Sequence, residues 1–431
     1  MVYSMISNFM KDMIRDILEE SDLYGRARSW LASHPLSADR IHVISMGKGA
    51  VNMAAAAEEE LGSKVVDGIV VVPQGTPRRS LHSMVLESTH PLPSEASLRA
   101  GEAIMELLGS VERGDLVLFL ISGGGSALVE VPAPGISLED LRGLNELLIM
   151  SGATIEEINA VRKHVSAVKG GRLAKIALDR GARVVSLLAS DVPGDDPATI
   201  ASGPTVPDPT TYGDAVLALK SRGIWEKAPP RVRTVLEEGM RGLREETPKE
   251  LAGADAFLMA SNMDVLRGLS SRLARRGIPS LILTSSVEGE AREVGRFLAS
   301  IAVEAHRSGL PLPRGAILVG GEPTVMVRGN GKGGRTTELC AGFALGARGV
   351  GGVYMLSLAT DGQDGNMDAA GCVADGETMK EAERAGVSFV GELGRNNTAA
   401  IFEATGSLIR TGLTGSNLNI ISVVMIDSIE K

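Results

Sequence analysis

Residues 116–128, LVLFLISGGGSAL, constrain the fold more than any other stretch of the chain. Leu116–Ser122 is apolar almost without interruption, which is typical of a strand buried on both faces of a parallel sheet. The glycines at 123–125 remove every Cβ at its carboxyl end, so the backbone there can adopt positive φ and approach a ligand. Ligands of open α/β sheets bind at such strand ends. The stretch therefore predicts either a cradle for a phosphate or carboxylate or simply a tight strand-to-helix turn.

The composition excludes several classes of function. Aromatic residues make up 3% of the 431, too few for the stacking platforms of single-stranded nucleic-acid binding. A net charge of −9 disfavours nucleic acids and anionic membranes as partners. The two cysteines, Cys340 and Cys372, are too few for a disulfide framework or a zinc cluster, so we expect a reducing cytoplasm.

Strand-like runs alternate with helical ones throughout, which predicts two α/β domains with mostly parallel, Rossmann-like sheets flanked by helices and an active-site cleft between the domains. The first series has strands at 41–46, 65–73, 116–122 and 182–189. The second series has strands at 256–260, 280–284, 316–320, 324–327, 354–360 and 420–426. We expect domains at 1–240 and 251–431, joined near Glu226–Glu250, with the last strand either in the second domain or returning to the first.

Polar and glycine-rich clusters recur where strands end, and strand ends on one side of a sheet converge. Lys48 lies between Gly47 and Gly49, so its side chain has room to reach a ligand, although a lysine after a strand is often just solvated. The chain does not contain the P-loop pattern GxxxxGK[ST], whereas residues 329–334, GNGKGG, match the dinucleotide-binding pattern GxGxxG.

Two further clusters follow in the first series. Helix 159–169 carries Lys163 within a dense polar set, which is either a basic solvated face or a wall facing an anion. Residues 190–196, SDVPGDD, place three carboxylates at a strand end, where Asp191 could serve as a base toward a hydroxyl or the acids could simply stabilise a turn. The loop 191–209 is not repetitive, so we expect it to be ordered.

The second series adds a glycine loop and a pair of acids. Residues 329–335, GNGKGGR, carry Lys332 and Arg335, and four glycines suggest a loop mobile enough to close over phosphates. A surface ion pair between Arg335 and Glu338 is the alternative. Asp361 and Asp364 follow a strand, and they suit a metal that bridges phosphates better than a structural Ca²⁺. Glycine turns, flexible cations and scattered acids together describe phosphoryl transfer.

Six segments in order resemble the class II glycerate kinases, the MOFRL-domain family that includes glycerate 2-kinases: SMGKGA, LISGGGSAL, NAVRKHVSAVKGGRLA, SDVPGDDPATIASGPTVPDP, GGEPTVMVRGNGKGGRTTEL and ATDGQDGNMDAAG. The resemblance spans nearly the whole chain. It implies ATP-dependent phosphorylation of D-glycerate, most often at the 2-hydroxyl, and essential positions at Lys48 and Arg335. Residues 411–420, TGLTGSNLNI, depart from the family pattern, with Leu413 and Ile420 in place of Pro and Asp.

The chemistry assigns roles to these positions. Lys48 neutralises charge on the phosphoryl group or substrate, Asp191 is the candidate base, and Arg335 clamps the phosphoryl group. The candidates for binding substrate or phosphate are Ser122, Gly123, Gly124, Gly125, Ser126, Lys163, Glu322 and Lys332. Those for Mg²⁺ are Glu322, Asp361 and Asp364. We expect ATP and Mg²⁺ as cofactors, a monomer or homodimer, and no nucleic-acid or membrane partner.

Two other functions are possible for this fold. One is an NAD(P)-linked hydroxypyruvate reductase, a name that relatives of the family have carried, although the acid that should follow its GxGxxG turn by about 20 residues is not evident. The other is a non-catalytic sensor of sugar acids, which predicts loss of Lys48 and of the strand-end acids, yet both are present.

Overall fold

Contacts divide the chain into two compact units in the computed structural model, which describes residues 2–77 and 79–427. The central unit is Leu23–Met259, and the terminal unit combines Met1–Asp22 with Ala260–Lys431. Each unit holds one six-stranded sheet flanked by helices, which confirms the predicted α/β fold class. Among the described helices, none has both the length and the apolar character needed to cross a membrane.

The central sheet has the strand order β3-β2-β1-β4-β5-β6. Its strands are β1 (Ile41–Met46), β2 (Val65–Pro73), β3 (Met84–Ser88), β4 (Leu116–Ile121), β5 (Arg183–Ala189) and β6 (Ala254–Ala260). From β3 to β5 every neighbouring pair is parallel. All six residues of β4 are buried because helices cover both faces of the sheet, as its unbroken apolar run predicted.

Nine α-helices in the described chain belong to the central unit: α2 (Leu23–Ser33), α3 (Ala50–Leu61), α4 (Glu95–Ser110), α5 (Gly125–Leu128), α6 (Leu138–Met150), α7 (Ile155–His164), α8 (Arg172–Asp179), α9 (Tyr212–Ser221) and α10 (Pro230–Met240). Apart from the buried strands of the sheet, an apolar cluster forms among α6, α7, α9 and α10. Residues 226–250, expected to join two domains, therefore lie within the central unit, because the apolar face of α10 is buried there.

The terminal sheet is mixed, with the order β11-β10-β9-β12-β8-β7. Its strands are β7 (Ser280–Val287), β8 (Gly315–Gly321), β9 (Val353–Ala359), β10 (Gly371–Asp375), β11 (Leu408–Ile409) and β12 (Ile420–Ile426). Strand β7 is parallel to β8, whereas β12 runs antiparallel to both β8 and β9. The last strand therefore does not return to the central sheet. The strand expected at 324–327 is reduced to one bridge between Thr324 and Glu290.

The terminal unit contains α1 (Val2–Glu20), α11 (Asn262–Arg275), α12 (Ala291–Ser308), α13 (Arg335–Gly346), α14 (Thr378–Arg384), α15 (Phe389–Gly394) and α16 (Thr398–Ala404). Helix α1 groups with this unit because its acids pair with α11: Arg272 bonds Glu20 at 2.6 Å and Asp16 at 3.1 Å. Helices α12 and α13 pack closely, since a Cβ on Gly295 would lie 1.9 Å from the Leu339 carbonyl oxygen.

Candidate functional site

The ends of three neighbouring parallel strands bring predicted site residues to one edge of the central sheet. Lys48 follows β1, Ser122 follows β4, and Asp191 comes shortly after β5. Strands β1, β4 and β5 are adjacent, and each pair is in register at this end. The structure therefore places Lys48, the 122–126 turn and Asp191 at the same edge, as parallel strand ends predict.

The Lys48 turn is hydrogen-bonded to the turn that follows β4. The Lys48 amide donates to the Gly123 carbonyl at 2.9 Å, and the Gly49 amide donates to Ser122 Oγ at 3.0 Å. A Cβ on Gly47, whose φ is +119°, would lie 2.3 Å from Ser122 Oγ. Glycine at 47 thus allows the two turns to touch, and the contact fixes the backbone from which the Lys48 side chain extends.

His90 joins this edge, although sequence reasoning did not include it in the site. Gly124 has a φ of +89°, and a Cβ there would lie 3.3 Å from His90 Cδ2 and 3.7 Å from Lys48 Cγ. His90 is exposed and sits two residues beyond β3, in the loop Thr89–Pro93. The only hint in the sequence was a histidine in a proline-rich loop after a strand.

Two of the acids predicted at the end of β5 have different surroundings. Asp191 is half-buried at the sheet edge. Asp196 accepts hydrogen bonds from the Ala198 amide and the Thr199 hydroxyl, both at 3.0 Å, so its carboxylate stabilises the local turn. The long loop is held to the sheet farther on, where Ser186 Oγ bonds Thr205 Oγ1 at 2.9 Å.

Lys163 points into the protein and not toward an anion at the surface. Its Nζ lies 3.1 Å from Asp208 Oδ1, and both side chains are almost inaccessible to solvent. Burial alone would raise the pKa of Asp208, but the Lys163 charge and hydrogen bonds from Thr210 outweigh it, so this pKa is lowered. The structure thus shows an internal ion pair at Lys163 and no contact that supports its predicted role in substrate binding.

In the terminal unit, two predicted site residues pair with each other. Arg335 is the first residue of α13, Glu322 follows β8 directly, and the Arg335 guanidinium makes an ion pair with the Glu322 carboxylate. Both side chains are a little over one-third exposed. The alternative pairing with Glu338 is wrong, because Glu338 is fully buried and its oxygens contact Arg292 and Asn396.

The glycine loop before Arg335 is packed tightly, so its glycines allow close approach, where the sequence suggested a mobile loop. A Cβ on Gly331 would lie 2.5 Å from the Asn397 side chain, and one on Gly334 would lie 2.3 Å from Asp364 Oδ1. The Gly331 amide also donates to the Arg395 carbonyl at 3.2 Å. Glycine is needed here because the loop lies directly against the turn at 395–398. Lys332 remains exposed on this loop.

Asn396 and Glu338 form a buried support beneath this loop. Asn396 accepts the Arg328 amide at 2.6 Å and donates to Glu338 Oε1 at 2.8 Å. Arg292 Nη2 lies 2.7 Å from the other Glu338 oxygen. Burial raises the pKa of Glu338 despite these partners. The network joins the loop to α12 and α13, and it therefore orients the start of the helix that carries Arg335.

Asp364 does not have the surroundings of a metal ligand. Its carboxylate accepts the amides of Thr336 and Thr337, both at 2.9 Å, and so caps α13. Burial raises the pKa of Asp364 in spite of these hydrogen bonds. Within 2–77 and 79–427, no three acidic, histidine or cysteine side chains group as a metal would require. The described residues thus do not fit a resident metal held by protein ligands alone.

The atypical segment 411–420 closes the β9 end of the terminal sheet. Thr360 Oγ1 donates to the Asn419 carbonyl and accepts the Leu418 amide, each at 2.8 Å. Ile420 begins β12 and is buried, whereas Leu413 is exposed. Asp361 lies beside this segment, since its carbonyl accepts the Thr414 amide at 3.2 Å. The replacement at 420 therefore sits in the core of the sheet, and the one at 413 lies on the surface.

The chain resembles known proteins along most of its length. Residues 8–237 match the family model described as a domain of unknown function, DUF4147, and residues 315–420 match the MOFRL family. A glycerate 2-kinase of Pyrococcus horikoshii is 42% identical over 90% of this chain and 88% of its own length. An Agrobacterium vitis protein provisionally named a hydroxypyruvate reductase is 40% identical over 90% of this chain and 87% of its own length. The crystal structure of glycerate kinase from Thermotoga maritima superposes with a TM-score of 0.88 at 37% identity, covering 97% of this chain and 100% of that one.

Proposed function

The chain belongs to the class II glycerate kinase family, and from that premise we propose that it transfers the γ-phosphoryl group of ATP to D-glycerate, giving 2-phospho-D-glycerate and ADP. One observation carries the proposal at the level of the site. Lys48 is fixed by backbone hydrogen bonds against the Gly123–Ser126 turn, at an edge of the sheet where Asp191 also lies. A cation, a glycine turn and a carboxylate at one edge suit a reaction that depends on positioning and charge neutralisation.

We assign the central residues as follows. The Lys48 ammonium neutralises charge that develops on the transferring phosphoryl oxygens, where a fixed positive charge is most effective. Asp191 accepts the proton of the attacking hydroxyl, since it is a half-buried carboxylate two residues beyond β5, whereas Asp196 stabilises the local turn. The 122–125 turn approaches the substrate with its backbone, because its glycines leave no Cβ in the way.

Arg335 is assigned to clamp the phosphoryl group. Its planar guanidinium offers two parallel donors, which match two oxygens of one phosphoryl group. In the structure it pairs with Glu322, and a partly exposed pair of this kind is worth about 0–1 kcal/mol. Exchange of the Glu322 carboxylate for a phosphate therefore costs little. Lys332, exposed three residues earlier, adds positive charge for the nucleotide phosphates.

Mg²⁺ is proposed to arrive with ATP as part of the nucleotide substrate. This ion keeps several waters and usually takes only one or two carboxylates in addition to phosphate oxygens. Glu322 and Asp361, at the ends of β8 and β9, are the candidates for that limited contact. Asp364 is withdrawn from this role because its oxygens already accept hydrogen bonds from α13. A cytoplasmic location and a monomeric or homodimeric state stay predictions.

Calorimetric titration of the protein with nucleotides tests the proposal against a reductase. We expect ATP to bind in the presence of Mg²⁺ and to bind more weakly in EDTA, whereas NADH gives no heat beyond dilution. Binding of NADH together with no binding of ATP would contradict a kinase and favour the hydroxypyruvate reductase.

A further inference from the structure

Three polar side chains form a hydrogen-bonded chain that leads from the interior of the central unit to the edge where Lys48 lies. Ser126 Oγ is 2.8 Å from Ser202 Oγ, and Ser202 Oγ is 2.8 Å from Asn159 Oδ1. Ser202 and Asn159 are 1% and 3% exposed, whereas Ser126 is half-buried, at the start of α5. Of these three side chains, Ser126 is thus the one that a substrate can reach.

The number of hydroxyl hydrogens in this hydrogen-bonded series decides which group is the donor in each bond. A serine hydroxyl has one hydrogen to donate, and a carbonyl oxygen only accepts. Ser202 uses its hydrogen on Asn159 Oδ1. The hydrogen between the two serines must then come from Ser126, which is left with lone pairs and no hydrogen for a ligand.

We propose that Ser126 is a specificity-determining residue that accepts a hydrogen bond from a hydroxyl group of the substrate. This inference rests on the proposed function, in which the substrate is a hydroxy acid. It revises the prediction that Ser126 helps to hold an anion, because lone pairs repel a carboxylate or phosphate oxygen and attract a hydroxyl hydrogen. Ser202 and Asn159 are positioning residues in this account, since they act only through Ser126.

The backbone around Ser202 is held in an uncommon conformation. Ala201 and Ser202 have φ values of 50° and 62°, a left-handed region that residues with side chains rarely adopt. The Gly170 amide donates to the Ser202 carbonyl at 3.1 Å, which fixes this conformation from the break between α7 and α8. Ala201 packs against the Ser126 turn, since a Cβ on Gly125 would lie 3.0 Å from the Ala201 Cβ. The fold thus places the Ser202 hydroxyl under Ser126.

Calorimetry of substrate analogues without ATP tests the proposal. The ligands are D-glycerate, D-lactate, which lacks the 3-hydroxyl, and 3-hydroxypropanoate, which lacks the 2-hydroxyl. Loss of one hydrogen bond predicts that Ser126→Ala binds D-glycerate about tenfold more weakly. The affinity of Ser126→Ala for the analogue that keeps the bonded hydroxyl should fall by the same factor. Its affinity for the analogue that lacks this hydroxyl should equal that of the wild-type protein. Equal weakening of all three acids, which indicates a contact to the carboxylate, would overturn the proposal, as would no weakening at all.

Two further variants test which groups donate in the hydrogen bonds between Ser126, Ser202 and Asn159. Asn159→Asp replaces the amide with a group that only accepts, so the pattern across the three ligands should persist. Ser202→Ala removes the acceptor of the Ser126 hydrogen, so the preference for D-glycerate over the unaffected analogue should shrink. A folded Asn159→Asp variant that loses the pattern would show that the amide donates, and it would overturn the proposed direction.

Ser151→Ala serves as the matched control. Its half-buried hydroxyl bonds the Leu148 carbonyl at 2.7 Å, at the end of α6, and its loss should leave all three affinities unchanged. If the wild-type protein does not bind D-glycerate, the proposed function fails and this inference fails with it. If the wild-type protein binds D-glycerate and Ser126→Ala binds it equally well, this inference alone fails.

Discussion

At the scale of single residues, Lys163 and Asp364 differ from the other charged candidates because each is buried against a partner distant in sequence. Lys48 and Asp191 were predicted from their places after strands, and they do lie at one sheet edge. Asp364 was chosen in the same way and Lys163 from a dense polar helix, yet Asp364 caps a helix and Lys163 forms a buried ion pair. The difference arises because a partner distant in sequence decides which way a side chain faces. Short-range sequence patterns do not identify such a partner.

Arg335 gives a sharp prediction at this scale. If the guanidinium clamps two phosphoryl oxygens, Arg335→Lys keeps the charge but loses the paired donors. We expect it to remain folded and bind ATP, yet to lose about 10³-fold in kcat, nearly as much as Arg335→Ala. Steady-state kinetics with thermal melts measure this. Arg410→Lys, which alters another exposed arginine paired with a glutamate, is the control and should keep kcat. Near wild-type turnover in Arg335→Lys would show that charge alone matters.

At the scale of secondary-structure elements, long buried strands were predicted well and short edge elements poorly. Strands β1, β4 and β12 are mostly apolar and are buried along their whole length, so they stand out in the sequence. Strand β3 was missed because it is an edge strand whose residues are largely accessible to solvent. The close packing of the 329–335 loop was missed for a different reason. Glycine permits either flexibility or close packing, and the close packing becomes visible only beside the neighbouring turn at 395–398.

The packing of that loop predicts the effect of Gly331→Ala. The added Cβ would meet Asn397 at 2.5 Å, and much of that contact is backbone that cannot rotate away. We expect a loss of about 1–3 kcal/mol in the free energy of unfolding, with reduced kcat because the start of α13 shifts. Gly351→Ala is the matched control, since nothing lies within 4 Å of its Cβ position. Urea unfolding of both variants tests this, and equal stability would refute the packing argument.

At the scale of the whole molecule, the central unit buries ionic groups that its stability depends on. Lys169 is 1% exposed, and its Nζ lies 2.6 Å from Oε2 of Glu130, which is also buried. Burial lowers the pKa of Lys169 in spite of that partner. The sequence suggested a polar helix at this position, but it could not show that its last lysine is enclosed.

Removing one member of this pair should destabilise the fold strongly. We expect Glu130→Gln to lower the free energy of unfolding by about 3–5 kcal/mol, because the Lys169 charge is left buried without a counter-charge. Adding Lys169→Met to that variant should recover most of the loss. Denaturant unfolding of the two single variants and the double variant gives the coupling energy. Additive losses would show that the two side chains do not interact.

Phosphorus NMR of the reaction shows directly whether the protein phosphorylates D-glycerate. The protein is incubated with ATP, Mg²⁺ and D-glycerate, and the spectrum is followed until ATP is consumed. We predict equal amounts of ADP and 2-phospho-D-glycerate, with no reaction when D-glycerate is omitted. An unchanged ATP spectrum, together with oxidation of NADH when hydroxypyruvate is supplied, would contradict the account.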